Sequence, residues 1–264
     1  MKLTMIRGVI DRRILINYRV KPEALQALLP EPFAPHVTHG WGMAGICLIR
    51  LKQLRPAGMP AMIGLTSENA AHRIAVEWLE EGERRVGVYI PRRDTSSRLN
   101  TWAGGRIFPG AHRRAHFQVQ ENEARFDISM RSDDGEASLH FRGALAQAMP
   151  PGSMFGSVAD AGAFFEQGSL GYSPSLLQSE YESLELRTEQ WRLQPLAMHE
   201  TRSSYFDDPQ RFPPCSVEFD CALIMLDAEC AWARGQALDP SAVALVRAPR
   251  AVTAQCLGLS GTWR

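Results

Sequence analysis

The sequence predicts an α+β fold, mostly antiparallel β, with its strands curled into a barrel or curved sheet and a few helices packed outside. Three observations carry this. Apolar and polar residues alternate with period two through much of the chain. Three successive alternating segments between His112 and Ala146 are separated by the turn clusters Glu121-Asn122-Glu123 and Asp133-Asp134-Gly135. Helical spacing is confined to short stretches.

Taken in order, Ile14, Ile16 and Tyr18 alternate with Leu15, Asn17 and Arg19 as a strand. Pro22 opens a helix over Glu23 to Leu29, with Pro at its first position and an acid behind it, and Pro30 and Pro32 end it. Trp41 to Leu51 reads as a buried strand. Ala70 to Trp78 and Arg85 to Ile90 flank the turn Glu80-Glu81-Gly82-Glu83 as a hairpin. Pro91 to Gly110 reads as a long connection with a short helix over Ser97 to Trp102. The strands His112 to Gln120, Ala124 to Arg131 and Ala137 to Ala146 form an antiparallel meander. Met149-Pro150-Pro151-Gly152 breaks the chain, Val158 to Phe165 is helical, and Gln194 to His199 and Val217 to Met225 are further strands. The C-terminal segment is mixed. Pro150 to Gly152 is the one plausible boundary. One domain over 1–264 is preferred, because the first half alone would leave sheet edges open that the later strands close.

Apolar residues are 45% and charged residues 22%, which excludes a disordered or collagen-like chain. Lys plus Arg and Asp plus Glu are 29 each, so no overall charge draws the chain to nucleic acid or an anionic membrane. The N-terminus carries Arg7, Asp11, Arg12 and Arg13 among its apolar residues, unlike a signal peptide. The best apolar run, Cys221 to Leu226, is far short of the ~20 residues that span a bilayer. Five cysteines without a CxxC pair point to reduced thiols rather than disulfides or structural zinc. The expectation is a soluble cytoplasmic protein. Only Lys2, Lys21 and Lys52 are lysines, so beyond Lys52 no side chain offers an amine for covalent catalysis.

From Gly82 to His116 eight arginines face two acids, and from Phe117 to His140 six acids face two arginines. Either some of these arginines build an anion site, or neighbouring strands neutralise each other. Arg98 and Arg106, in the Gly- and Ser-rich connection, are the better functional candidates. His112 and His116 on one strand would lie ~13 Å apart at ~3.3 Å per residue, too far to share a metal. One of them on an inner face could act as acid or base, or be a structural histidine. Glu68 is either a solvated loop acid or a general base at the mouth of a barrel. There is no GxSxG elbow and no P-loop, and no helix follows Gly40, Gly42 and Gly45 to receive a phosphate. Cys215 carries no mark of activation. Phe155, Phe164, Phe165 and Tyr172 read as core rather than a stacking platform. No cofactor or metal is implied.

The segment Tyr18-Arg19-Val20-Lys21-Pro22-Glu23-Ala24-Leu25, running to Leu28-Leu29-Pro30-Glu31-Pro32-Phe33, resembles the opening of acetoacetate decarboxylase-like proteins. Gly104-Gly105-Arg106 with Pro109-Gly110-Ala111-His112-Arg113-Arg114 resembles their Gly-Arg-Glu…Gly-x-Pro-Lys-Lys segment. Closer still, Gly87-Val88-Tyr89-Ile90, Arg93-Asp94-Thr95-Ser96-Ser97-Arg98, Phe164-Phe165 and Gly168-Ser169-Leu170-Gly171-Tyr172-Ser173-Pro174 resemble the DUF2071 (YqjF-like) family, over most of the chain to about Trp232. The resemblance implies a cone-like antiparallel β-barrel with outer helices and a small-molecule cavity. It also implies what is missing. The Schiff-base lysine of the decarboxylases is matched by His112-Arg113-Arg114, and Arg cannot replace it. Arg19 and Glu68 fall where the decarboxylases carry functional Arg and Glu, and His112 lies near the lost Lys.

Two expectations follow. The first is an enzyme on a small carbonyl or carboxylate compound, with Arg19, Arg98 or Arg106 holding the acid and Glu68 or His112 moving a proton. The second is a carrier or sensor of a small organic acid using the same cavity. A homo-oligomer paired through strand edges is a third reading.

Overall fold

The computed structural model describes residues 5–176 and 180–240. The chain opens with β1 (Met5–Val20), α1 (Pro22–Gln26), β2 (Ala34–Pro35), β3 (Val37–Thr38) and β4 (Trp41–Pro56). A long hairpin, β5 (Leu65–Glu80) and β6 (Glu83–Thr95), is followed by α2 (Arg98–Ala103). The meander is β7 (Arg113–Glu121), β8 (Arg125–Ser132) and β9 (Ser138–Leu145). Then come α3 (Val158–Gln167), β10 (Leu170–Pro174), β11 (Tyr181–Arg187), β12 (Gln194–Ser203) and β13 (Val217–Arg234).

All these strands belong to one sheet that closes on itself twice. The smaller ring runs β13-β1-β4-β5-β6-β10-β11 and returns to β13. The larger runs β13-β1-β4-β5-β6-β7-β8-β9-β12 and returns to β13. Five strands are shared. Every pairing is antiparallel except β6 with β10 and β6 with β7. This is the predicted class, mostly antiparallel β with few helices.

The shared wall explains an irregular feature of the sequence. A strand buried on both faces shows a continuous apolar run instead of alternation. Ile14 to Tyr18 in β1 and Asp220 to Met225 in β13 are buried residue after residue. One set, Ile14, Ile16, Ile46, Ala222 and Ile224, joins Phe126, Ile128 and Phe141 in the core of the larger ring. The other set, Leu15, Cys47, Cys221 and Leu223, meets Phe155 and Phe165 on the side covered by α3. The larger ring is filled by side chains, with Tyr18 stacked on Phe206 at 4.2 Å.

Local signals place the short elements. Ser97 and Ser157 cap α2 and α3, their hydroxyls accepting from the amides of Asn100 and Asp160. The hairpin turn has Glu81 and Gly82 at positive φ of 53° and 82°, the pairing that matches strand twist. α1 is shorter than expected, ending at Gln26 rather than Leu29. Residues 91–95, expected in a connection, continue β6, and Glu68, expected in a loop, lies inside β5. His112 sits just ahead of β7 rather than within it. β10 and β11 had no clear alternation to mark them. The mixed C-terminal segment beyond residue 240 lies outside the described residues. Among the described residues no helix is long and apolar enough to cross a membrane.

Candidate functional site

The smaller ring encloses a cavity of about 150 Å³, and each of its seven strands contributes lining. Its walls are apolar: Ile49, Leu51, Val88, Ile90, Leu184 and Trp232 from strands, and Phe165 from α3. Three arginines line it, Arg13 on β1, Arg73 on β5 and Arg93 on β6.

Each arginine reaches the cavity through strand parity. Asn69, Ala71 and Arg73 share one face of β5, while His72 and Ile74 take the other. A one-residue register shift between β5 and β6 pairs Ile74 with Tyr89 but Ala71 with Arg93. Without that bulge, strict alternation from Val88 and Ile90 would turn Arg92 inward and Arg93 away. On β1, Arg13 shares the face of Leu15 by plain alternation, in the unbroken register that follows a shift between Ile10 and Arg12.

Among the described residues, the hydrogen-bond partners of these arginines are neutral. Arg13 Nε donates to Cys47 Sγ at 3.3 Å, and its guanidinium lies 5.2 Å from the Trp191 ring. Arg73 donates to Asn17 Oδ1 and lies 4.7 Å from the Phe165 ring. Arg93 Nε donates to Ser173 Oγ at 3.1 Å. Arg13 Nη1 and Arg73 Nε are buried without a partner. Burial pushes Arg73 and Arg93 down to about 10. Asp94 borders the cavity, but Arg92 holds both its oxygens at 2.8 Å. The segments outside the described residues contain no Asp or Glu. A guanidinium removed from water without a counter-charge is costly, and here three converge on one space.

Of the residues singled out in the sequence, His112 lines the cavity. Its Nδ1 donates to Gly110 O at 3.0 Å, which leaves the lone pair on Nε2. Burial, with Arg93 beside it, holds the imidazole down to about 3, so it is neutral at physiological pH. Gly110 makes the approach possible. Its φ is +83°, and a Cβ there would stand 2.8 Å from Arg93 Nε.

The other candidates lie elsewhere. Arg19 pairs with Glu218 at 2.7 Å and donates to Gly152 O at 2.7 Å, outside the cavity lining. Arg98 and Arg106 are exposed, and Arg106 donates to Trp102 O at 2.7 Å. Glu68 points to the opposite face of β5 from Asn69. There it accepts from Arg12 at 2.7 Å and Arg50 at 2.5 Å, and both arginines also pair with Glu121. Against the cost of burial, Glu68 and Glu121 push the Arg50 pKa up, and Lys52 and Arg50 hold the Asp11 carboxyl below its ordinary value. Arg12 is only 2% exposed, so this cluster stabilises an end of the shared wall. Glu68→Gln is expected to cost about 2 kcal/mol of stability, the worth of a charged hydrogen bond, with the cavity unaffected. Chemical denaturation shows the first, and an unchanged carboxylate affinity the second.

Arg13 and Arg73 escaped the sequence reading, and Arg93 was one of the eight clustered arginines without being singled out, because 80 residues separate the first of the three from the last. One signal was present: Arg73 interrupts the apolar run Ala70 to Val76, where a charge has no place on a strand buried on both faces. Lys52, half exposed and paired with Asp11 at 2.5 Å, is not in the lining, so no lysine of the described residues borders the cavity. No group of three His, Cys, Asp or Glu among the described residues could hold a metal ion.

This mainly antiparallel, doubly closed sheet with few helices has the acetoacetate decarboxylase-like fold. The chain is similar in fold to the acetoacetate decarboxylase of Legionella pneumophila, at TM-score 0.60 and 9% identity, covering 89% of this chain and 88% of that one. An acetoacetate decarboxylase-like enzyme of Sphingomonas wittichii RW1 aligns at TM-score 0.54 and 14% identity over 90% and 93% of the two chains. The enduracididine biosynthesis enzyme MppR, in its complex with pyruvate, aligns at 0.54 and 10% identity over 91% of each. Residues 10–217 match the model of DUF2071, "Uncharacterized conserved protein (COG2071)", and the chain belongs to this family. No curated protein matches the sequence.

Proposed function

We propose that the cavity of the smaller ring binds a small organic carboxylate. One observation carries this: three arginines with neutral partners face a single apolar-walled space. A carboxylate accepts guanidinium donors in pairs and cancels the buried charge. The volume, about 150 Å³, restricts the ligand to roughly the size of benzene, which fills a dry cavity of that volume. MppR, which shares the fold, binds pyruvate, an acid within that limit.

Chemistry on the bound acid would fall to His112, the imidazole in the lining; its neutral Nε2 accepts a hydrogen bond, and it becomes an effective base only where the charge of a bound acid raises its pKa from about 3. Among the described residues no amine lines the cavity to form a Schiff base. A carrier without turnover is the second reading. It is favoured by the engagement of Asp94 with Arg92, which leaves His112 without an unengaged carboxylate to work with. Product formation that is lost in His112→Gln selects the enzyme, and binding without turnover selects the carrier.

Thermal shift tests the binding. Acetate, propionate, pyruvate and benzoate are compared with the matching amides. At 100 times its Kd a ligand stabilises by about 2.7 kcal/mol, a rise of roughly 5–10 °C for a chain of this size. The acids are expected to raise Tm and the neutral amides not. An equal response to acid and amide removes the anion pocket.

A further inference from the structure

We propose that Cys47 is a thiol reaction site within this cavity, directed at small electrophiles that carry a carboxylate. The inference rests on the carboxylate reading and adds a covalent site to it.

Cys47 is 7% exposed and lines the cavity, with its Sγ 3.3 Å from Arg13 Nε. Its cross-strand neighbour on β5 is Ala71, whose methyl leaves room beside the sulfur. Arg73, also 7% exposed, lines the same space with Nε unpartnered, and Arg13 has Nη1 unpartnered. A carboxylate on the Arg13 guanidinium, at the usual ~2.8 Å, therefore holds the carbons next to it within reach of the sulfur. The other described thiols lie elsewhere. Cys221 and Cys230 are buried away from the lining, and Cys215 is exposed.

The electrophile is an acid with a leaving group on its α-carbon or a double bond to its β-carbon. In the first case the S–C bond forms as the leaving anion departs and the thiol proton passes to solvent. In the second, sulfur bonds the β-carbon and the proton ends on the α-carbon. Neither step needs an oxidant or a metal.

The test compares iodoacetate with iodoacetamide on the intact protein, reading each cysteine by peptide mass mapping. A thiol in water shows no preference for the anionic reagent. At Cys47 iodoacetate is expected to react at least tenfold faster than iodoacetamide, with no such preference at Cys215. Excess acetate should slow Cys47 alone, and Arg13→Met should abolish the preference. Labelling of Cys47 in the same reagent ratio as Cys215 overturns the proposal. In that case, acetate that still raises the Tm of the wild type and of Cys47→Ser leaves the carboxylate reading standing. Acetate without effect on either removes both.

Discussion

Arg93→Met is expected to weaken carboxylate binding by roughly 30- to 700-fold while leaving the unliganded fold at least as stable. The two halves have one cause. Arg93 lines the cavity together with Ile90 and Phe108, and among the described residues its hydrogen bond goes to the Ser173 hydroxyl at 3.1 Å. Desolvation disfavours its charge, as the fall of its pKa to about 10 reflects. Methionine fills similar space without that cost, and a hydroxyl can turn to another partner. A bound acid, by contrast, loses a buried charge-assisted contact worth about 2–4 kcal/mol. Calorimetric titration with the best acid of the thermal screen, beside denaturant melts of both proteins, reads both halves. A variant that binds normally removes Arg93 from the site. One that is clearly less stable without ligand shows that the arginine serves the fold. Stability gained where binding is lost is the usual mark of a group retained for function.

Acid is expected to unfold this protein earlier than its carboxylates alone would, and His72 is the main cause. Its ring is 1% exposed inside the larger ring, 4.6 Å from the Tyr205 ring, with Nδ1 lacking a partner. Burial, with Arg92 and Arg211 adding to it, holds the imidazole down to about 3. In the unfolded chain the ordinary value is ~6.5. Between those values the unfolded state binds a proton that the folded state refuses. The stability is therefore complete above about pH 6.5 and drains away as pH falls toward 3. Two pH units into that window, near pH 4.5, the loss is about 2.7 kcal/mol. His112, shifted the same way, adds to it. His72→Phe keeps the ring against Tyr205 and removes the titration. Its stability, measured by urea melts from pH 7 to 4, should fall less steeply than that of the wild type by about that amount. Parallel curves would assign the acid sensitivity to other groups.

Much of the fold could be read directly from residues. The short helices over Ser97 to Trp102 and Val158 to Phe165 were legible, and in the structure the hydroxyls of Ser97 and Ser157 satisfy their first free amides within one turn. Glu81-Gly82 announced its hairpin, and Asn122 and Gly135 the bends of the meander, since such turns depend on a few adjacent φ and ψ angles. The family motifs carried the fold class, and His112 lay in one of them. Other features resisted. Glu68 read as a loop acid or a general base at a barrel mouth, because the strand was legible only from Ala70, whereas β5 begins at Leu65. β10 and β11 are short and pair with strands far away in sequence, β6 and β13.

By itself, then, the sequence determined the local elements, the β-rich class, and the loss of the amine, since each depends on residue identity or short spacing. Tertiary structure alone decided the cavity. Strand parity sets which side chains turn inward, and one extra residue at a bulge reverses it, as between Ile90 and Arg93. Closure of β11 onto β13 and of β5 onto β6 then decides which inward faces meet. Arg13, Arg73, Arg93 and Cys47 share a space only because those distant pairings form, and no periodicity within a single strand encodes them.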